Sequence, residues 1–199
     1  WLMANGLGEF CYNFSMENIV YEGTSHSGKQ FLIRYPTLAD ARAMSEYINV
    51  LSDERTFITF QGEHLSEADE KEFLAKELEK IADHKSVFLL VFSESTLIGI
   101  SNITSGERTS FHVGTFGISI APDFRGEGIG KTLMEVIHKE AEERIPTLRI
   151  IDLAVFATNQ LAKEMYQHFG YQEYGTLTGG IFYRGEYIDH INMFKTIRS

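Results

Sequence analysis

One short stretch limits this chain more than any other: "APDFRGEGIGKTLMEVI", residues 121–137. Three glycines in five positions, Gly126, Gly128 and Gly130, stand between an apolar segment and a helical pattern, with Arg125 and Lys131 beside them. A strand that turns into a helix this way brings the helix's unpaired N–H groups and the positive end of its dipole to one place. Such a place favours an anion. Glycines remove the Cβ atoms that would keep a large phosphate from the backbone. The apolar stripe of Ile129, Leu133, Val136 and Ile137 pins the helix to a sheet. A tight strand-to-helix turn with glycines for packing alone would look the same, and physics alone does not name the anion.

Two familiar phosphate motifs fail by one residue each. A P-loop needs Gly, four residues, then Gly-Lys-Ser/Thr. "GKT" is present at 130–132, but the first glycine would fall on Arg125. The dinucleotide fingerprint needs Gly-x-Gly-x-x-Gly. Gly126 and Gly128 fit, and Lys131 occupies the third position. A nucleotide-binding protein gripping phosphate with "GKT" is therefore disfavoured.

The rest of the chain reads as alternating layers. Residues 18–37 predict a hairpin whose second arm, Gln30 to Tyr35, is a strand ended by Pro36. Residues 37–51 predict a helix with Thr37 as N-cap, and 66–83 a second with Ser66 and Asp69 as its capping signal. "SDERTFITFQGEHL" reads as a loop between them, with Phe57 and Phe60 exposed. Strands follow at "VFLLVF", "LIGISNIT" and "FHVGTFGISIA", then the glycine loop and a helix to about Glu143. "LRIIDLAVF" is a strand mostly apolar on both faces. A short helix at 159–169 stops at Gly170, and two strands close the chain at roughly 171–178 and 186–197. The order is a hairpin, two helices, three strands, helix, strand, helix and two strands: a mixed α/β layer without regular βαβ alternation.

With 199 residues, a single domain is expected over 18–199, with 1–17 an N-terminal extension, native or appended. The net charge of −10 argues against nucleic acid as a partner. It is compatible with a cationic substrate, or with solubility alone. The longest apolar run is too short to cross a bilayer, and no membrane partner or signal peptide is expected. One cysteine, Cys11, permits no internal disulfide, and a cytoplasmic location is the default. No Cys and His cluster has zinc spacing, so no metal is expected.

"RGEGIG", residues 125–130, resembles the Arg/Gln-x-x-Gly-x-Gly/Ala signature of the GNAT-superfamily N-acetyltransferases. "NQLAKEMYQHFGYQEYG", residues 159–175, resembles their second hallmark through Asn159, Ala162, Tyr166, Phe169, Gly170 and Tyr171. The resemblance covers about 20–197 and implies a mixed, mainly antiparallel seven-stranded sheet, with about four helices and an extra N-terminal strand. It implies acetyl-CoA as donor and an amine as acceptor: a polyamine, an amino-acid-like small amine or a peptide N-terminus. An acyl-CoA-binding regulatory module of the same fold, without turnover, is the alternative. A homodimer is compatible with the family, although no sequence feature fixes one.

The resemblance places the cofactor's pyrophosphate on the turn of Arg125, Gly126, Glu127, Gly128, Ile129, Gly130 and Lys131. It places the pantetheine along Ile118, Ser119 and Ile120 of the preceding strand, with Asn159 and Tyr166 also at the cofactor. Gly114 and Gly117 fit a bulge or a close approach there. Tyr166 matches the family's tyrosine and is expected to give the departing thiolate its proton. An alkyl amine, with a pKa of about 10.4, must lose a proton before it attacks. The glutamate that many members carry on this strand is absent. His112 is the candidate base, followed by Glu107 and Asp152, with backbone carbonyls and water as another route. The acceptor is expected between Asp53, Glu54, Phe57 and Phe60 on one side and Tyr183, Glu186, Tyr187 and Asp189 on the other. Acids with aromatic rings suit an ammonium group on an apolar stem, and equally describe a hydrated loop and an exposed strand face.

Overall fold

A computed structural model describes residues 18–198. The expected hairpin forms from β1, Ile19–Thr24, and β2, Gln30–Arg34. A single 3₁₀ turn, Leu38–Asp40, leads into α1, Ala41–Glu54. Its Asp40 carboxylate accepts the Thr37 N–H at 2.7 Å and the guanidinium of Arg34 at 2.6 and 2.9 Å. The first helix therefore starts later and runs three residues further than the apolar stripe suggests. Asp53 and Glu54 belong to its last turn, and Arg55, at φ 50°, ends it. Helix α2, Glu67–Ala82, begins at the capping box formed by Ser66 and Asp69.

Strands β3, Ser86–Ser93, and β4, Thr96–Ser105, form the next hairpin, and β5 spans Val113–Ile120. A 3₁₀ turn at Pro122–Phe124 carries the chain into the glycine loop and α3, Ile129–Arg144. Strand β6 is Ile150–Phe156, α4 is Gln160–His168, and β7, Gln172–Tyr183, pairs with β8, Glu186–Thr196. The sheet order is β1-β2-β3-β4-β5-β6-β8-β7. The seven strands and extra N-terminal strand expected from the resemblance are thus one continuous sheet of eight.

Both faces of the sheet are covered. Leu133, Met134, Ile137 and Ala141 of α3 are buried on a core that includes Ile103, Phe116, Ile151, Leu153 and Val155. Each fully buried Leu or Ile contributes about 1.5–3 kcal/mol. On the other face, Met44, Tyr47 and Leu51 of α1 and Leu74 of α2 pack against Phe88, Leu90 and Leu97. Side chains of β6 alternate, so Ile151, Leu153 and Val155 point under α3. Asp152, Ala154 and Phe156 take the face shared with α1 and α2.

The α3 crossover makes β5 and β6 neighbours that run parallel, while β4 and β8 flank them antiparallel. The parallel pairing is short: Val113 with Ile150, Gly114 with Ile151 and Thr115 with Asp152. No register shift interrupts β4 and β5, so Gly114 and Gly117 mark no bulge. They allow close approach instead. A Cβ at Gly114 would lie 2.7 Å from a Leu148 methyl group, and one at Gly117 2.9 Å from Asn102 Oδ1.

Candidate functional site

Beyond Thr115 and Asp152 the two parallel strands separate, and a cleft opens between them. The direction of the free backbone groups follows from the hydrogen bonds at the ends of β5. The Ala121 N–H donates to Ile98 O and the Gly106 N–H to Val113 O, both at 2.8 Å, so odd-numbered residues turn their backbone toward β4. His112 O accepts from Arg149 and Ile150, so even-numbered residues turn theirs toward β6. The Phe116 N–H is then the last rung of the parallel ladder. The Phe116 carbonyl and both backbone groups of Ile118 face the opening without a strand partner among the described residues. Ile120 O is taken by Arg125 Nε at 3.0 Å. The Ser119 backbone faces β4, and its hydroxyl bonds Tyr47 Oη at 2.9 Å on the α1 side.

The cleft leads to the glycine loop. Gly126 and Gly128 hold φ values of +76° and +81°, and a Cβ on Gly126 would meet nothing within 4 Å. Gly128 is the N-cap of α3, so the free N–H groups of Ile129, Gly130 and Lys131 open there. This donor set, with room at Gly126, fits a phosphate group. Arg125 does not reach into this space. Its guanidinium forms a two-pronged pair with Glu54 at 2.6 and 2.7 Å, tying the end of α1 to the loop. Lys131 is exposed, 3.9 Å from Glu135.

On the α3 side of the opening, Tyr166 of α4 is 8% exposed. Its ring stands edge-on to Phe116, 6.0 Å between centroids. Its hydroxyl has no hydrogen bond among the described residues, and burial pushes its pKa up to about 12. Asn159 caps α4 by accepting the Ala162 N–H at 3.2 Å. Behind Tyr166, the Tyr171 hydroxyl bonds His138 Nε2 at 2.8 Å.

The opposite face is the one expected to admit the acceptor. Phe57 and Tyr183 do meet there, with centroids 5.5 Å apart. Phe156, which the sequence reading passed over, completes the group at 5.6 Å from Phe57 and 5.3 Å from Tyr183. The Tyr183 hydroxyl donates to Arg55 O at 3.0 Å, fastening the last hairpin to the end of α1. At the foot of the opening, Asp152 Oδ1 accepts the Tyr174 hydroxyl at 2.9 Å.

The other predicted residues lie as follows. Asp53 pairs with His64 at 2.8 Å, Glu54 with Arg125, and Asp189 accepts the Gly179 N–H at 2.9 Å. Tyr187 is 78% exposed and packs on Phe182. Phe60 is half-buried and Glu186 exposed. His112 precedes β5, at the paired end of the parallel ladder. It is four residues before Phe116, about 13 Å along a strand, and the opening lies beyond. Glu107 is further back, before the 3₁₀ turn Arg108–Ser110.

A model described as the acetyltransferase (GNAT) family matches residues 48–171, more than half of the chain. The chain belongs to this family. Among curated proteins, this GNAT chain is similar to N-alpha-acetyltransferase 20 of Dictyostelium discoideum, 36% identical over 92 residues. That match covers 46% of this chain and 51% of the relative, so the chain spans about half the length of the curated relative it matches. An acetyltransferase of the GNAT family from Streptococcus pneumoniae superposes with a TM-score of 0.77 at 29% identity, covering 84% of this chain and 99% of that one. A ribosomal-protein-alanine N-acetyltransferase from Brucella melitensis, TM-score 0.70 and 24% identical over 83% of this chain and 99% of that one, shares the fold.

Proposed function

We propose that this GNAT chain transfers an acetyl group from acetyl-CoA to an amine in a ternary complex, and that the amine is a peptide N-terminus. One observation carries the first part: a parallel strand pair that opens after three residues onto a glycine-lined helix N-terminus. An extended, amide-bearing chain with a pyrophosphate at one end suits both halves of that cleft. The similarity to a relative named for N-alpha-acetylation supports the second part. So does the wall of Phe57, Phe156 and Tyr183, which suits an apolar first side chain more than a polyamine.

When bound, acetyl-CoA supplies an acetyl group activated as a thioester. The Phe116 carbonyl and the Ile118 backbone hold the pantetheine amides. The N–H groups at 129–131 hold the pyrophosphate, over the room left by Gly126. Tyr166 keeps its proton because burial disfavours the phenolate, and so has one to give to the departing sulfur. Asp152, on the acceptor face at the foot of the opening, takes a proton from the incoming ammonium, directly or through water. Its Oδ1 is fixed by Tyr174 and its second oxygen is left for that exchange. His112 receives no role in this scheme.

The test is a thiol-release assay with acetyl-CoA against peptides of varied first residue, spermidine and free amino acids, after calorimetric titration with acetyl-CoA and an ATP control. Turnover with peptides, fastest for apolar first residues, is the expected result. Turnover with spermidine alone overturns the acceptor reading. Tight binding without turnover on any amine makes the chain an acyl-CoA-binding module instead.

A further inference from the structure

The turn between β1 and β2 lies outside the residues that define the family match, yet it packs on the glycine loop. The His26 N–H donates to Glu127 O at 3.0 Å. The Ser27 N–H donates to Glu127 Oε2 at 2.8 Å. A Cβ on Gly128 would lie 2.6 Å from His26 Nε2. The two central glycines therefore do different work. Gly126 leaves open space, whereas at Gly128 the missing side chain makes room for the imidazole.

Glu127 presents a difficulty that the turn resolves. A carboxylate inside an anion cradle repels the anion it should hold. Here the Ser27 N–H binds that carboxylate and holds its pKa below the usual range. The negative charge is kept at the turn, where Lys29 stacks on the Phe124 ring at 4.7 Å.

We propose that the β1–β2 turn is part of the cofactor's phosphate site. Ser27 keeps the Glu127 carboxylate out of the cradle, and His26, seated on Gly128, contacts the pyrophosphate through its imidazole. The inference rests on the acetyl-CoA reading above. Arg125 is paired with Glu54, and Lys131 stands near Glu135. An imidazole N–H donates to a phosphate oxygen beside it.

The test is calorimetric titration of the full chain with CoA, comparing wild type, His26→Gln and His26→Ala. Thermal melts check folding, and His26→Gln carries the comparison if His26→Ala fails to fold. Both variants are expected to bind about 5- to 10-fold more weakly than wild type. Equal affinity in wild type and the folded variants overturns the inference and leaves the acetyl-CoA reading standing. A wild type that binds no CoA overturns both.

Discussion

Tyr166 and Asp152 stand on opposite sides of the same opening, and each can be tested by the loss of one oxygen or one charge. Tyr166→Phe keeps the ring that packs on Phe116 and removes only the hydroxyl proposed as proton donor. The turnover number is expected to fall about 100-fold, with KM for acetyl-CoA nearly unchanged. Because burial lifts the Tyr166 pKa to about 12, the donor stays loaded, and wild-type activity should not decline on the alkaline side below about pH 11 through this group. An unchanged rate in Tyr166→Phe would leave its hydroxyl without a catalytic part. Asp152→Asn is expected to lower kcat/KM about 100-fold, while His112→Ala stays within about twofold of wild type; the reverse result would restore His112 as the base. The placement of Tyr166 and Asn159 was legible because they sit in a motif of fixed spacing on one helix. The place of Asp152 at the foot of the opening was not, because it depends on where β5 and β6 separate. That point is set by pairing across a crossover, and no run of consecutive residues records it.

Helix α3 joins the glycine loop at one end to a buried imidazole further along. His138 Nδ1 bonds Met134 O, so Nδ1 carries the proton and Nε2 accepts from Tyr171. Burial lowers its pKa from 6.5 to about 4. The sign follows from the unfolded chain, whose histidine takes up a proton as the pH falls below about 6.5 while the folded one stays neutral. Stability is therefore fully present above about pH 6.5 and declines toward pH 4, by as much as about 3 kcal/mol from this residue. Urea unfolding across this range should show a shallower decline in His138→Gln than in wild type. Equal slopes would mean that His138 is charged in the fold. At this scale the sequence was informative wherever a local signal ends an element: the Ser66–Asp69 box, the Asn159 cap, Gly170 at φ +86°. It misjudged α1, because the last turn through Glu54 is held by a guanidinium 71 positions away rather than by its own apolar stripe. It also passed over Phe156 by reading β6 as buried on both faces, when one face looks into the opening.

The molecule as a whole carries a net charge of −10 and, under the proposed function, binds a polyanion and a cation in adjoining halves of one cleft. These two ligands should respond to salt in opposite ways. The glycine loop offers N–H groups and Lys131, a local attraction of short reach, while Arg125 is already neutralised by Glu54. At longer range the multiply anionic cofactor meets a field of its own sign and is slowed on approach. The ammonium of an acceptor meets a favourable field, toward which Asp152 and the acidic end of α1 contribute. Salt screens both fields once the Debye length drops to about 10 Å near 0.1 M. Raising the salt from about 0.01 to about 0.15 M should therefore speed acetyl-CoA association and raise KM for a peptide with a free N-terminus. The acceptor half of this expectation can be isolated with Asp152→Asn, which should flatten the salt dependence of KM without altering that of cofactor association. Stopped-flow association and initial rates over the same salt series provide the comparison. If salt slows acetyl-CoA association, the local attraction of Lys131 and the helix N–H groups outweighs the net charge at the distances where the encounter is decided.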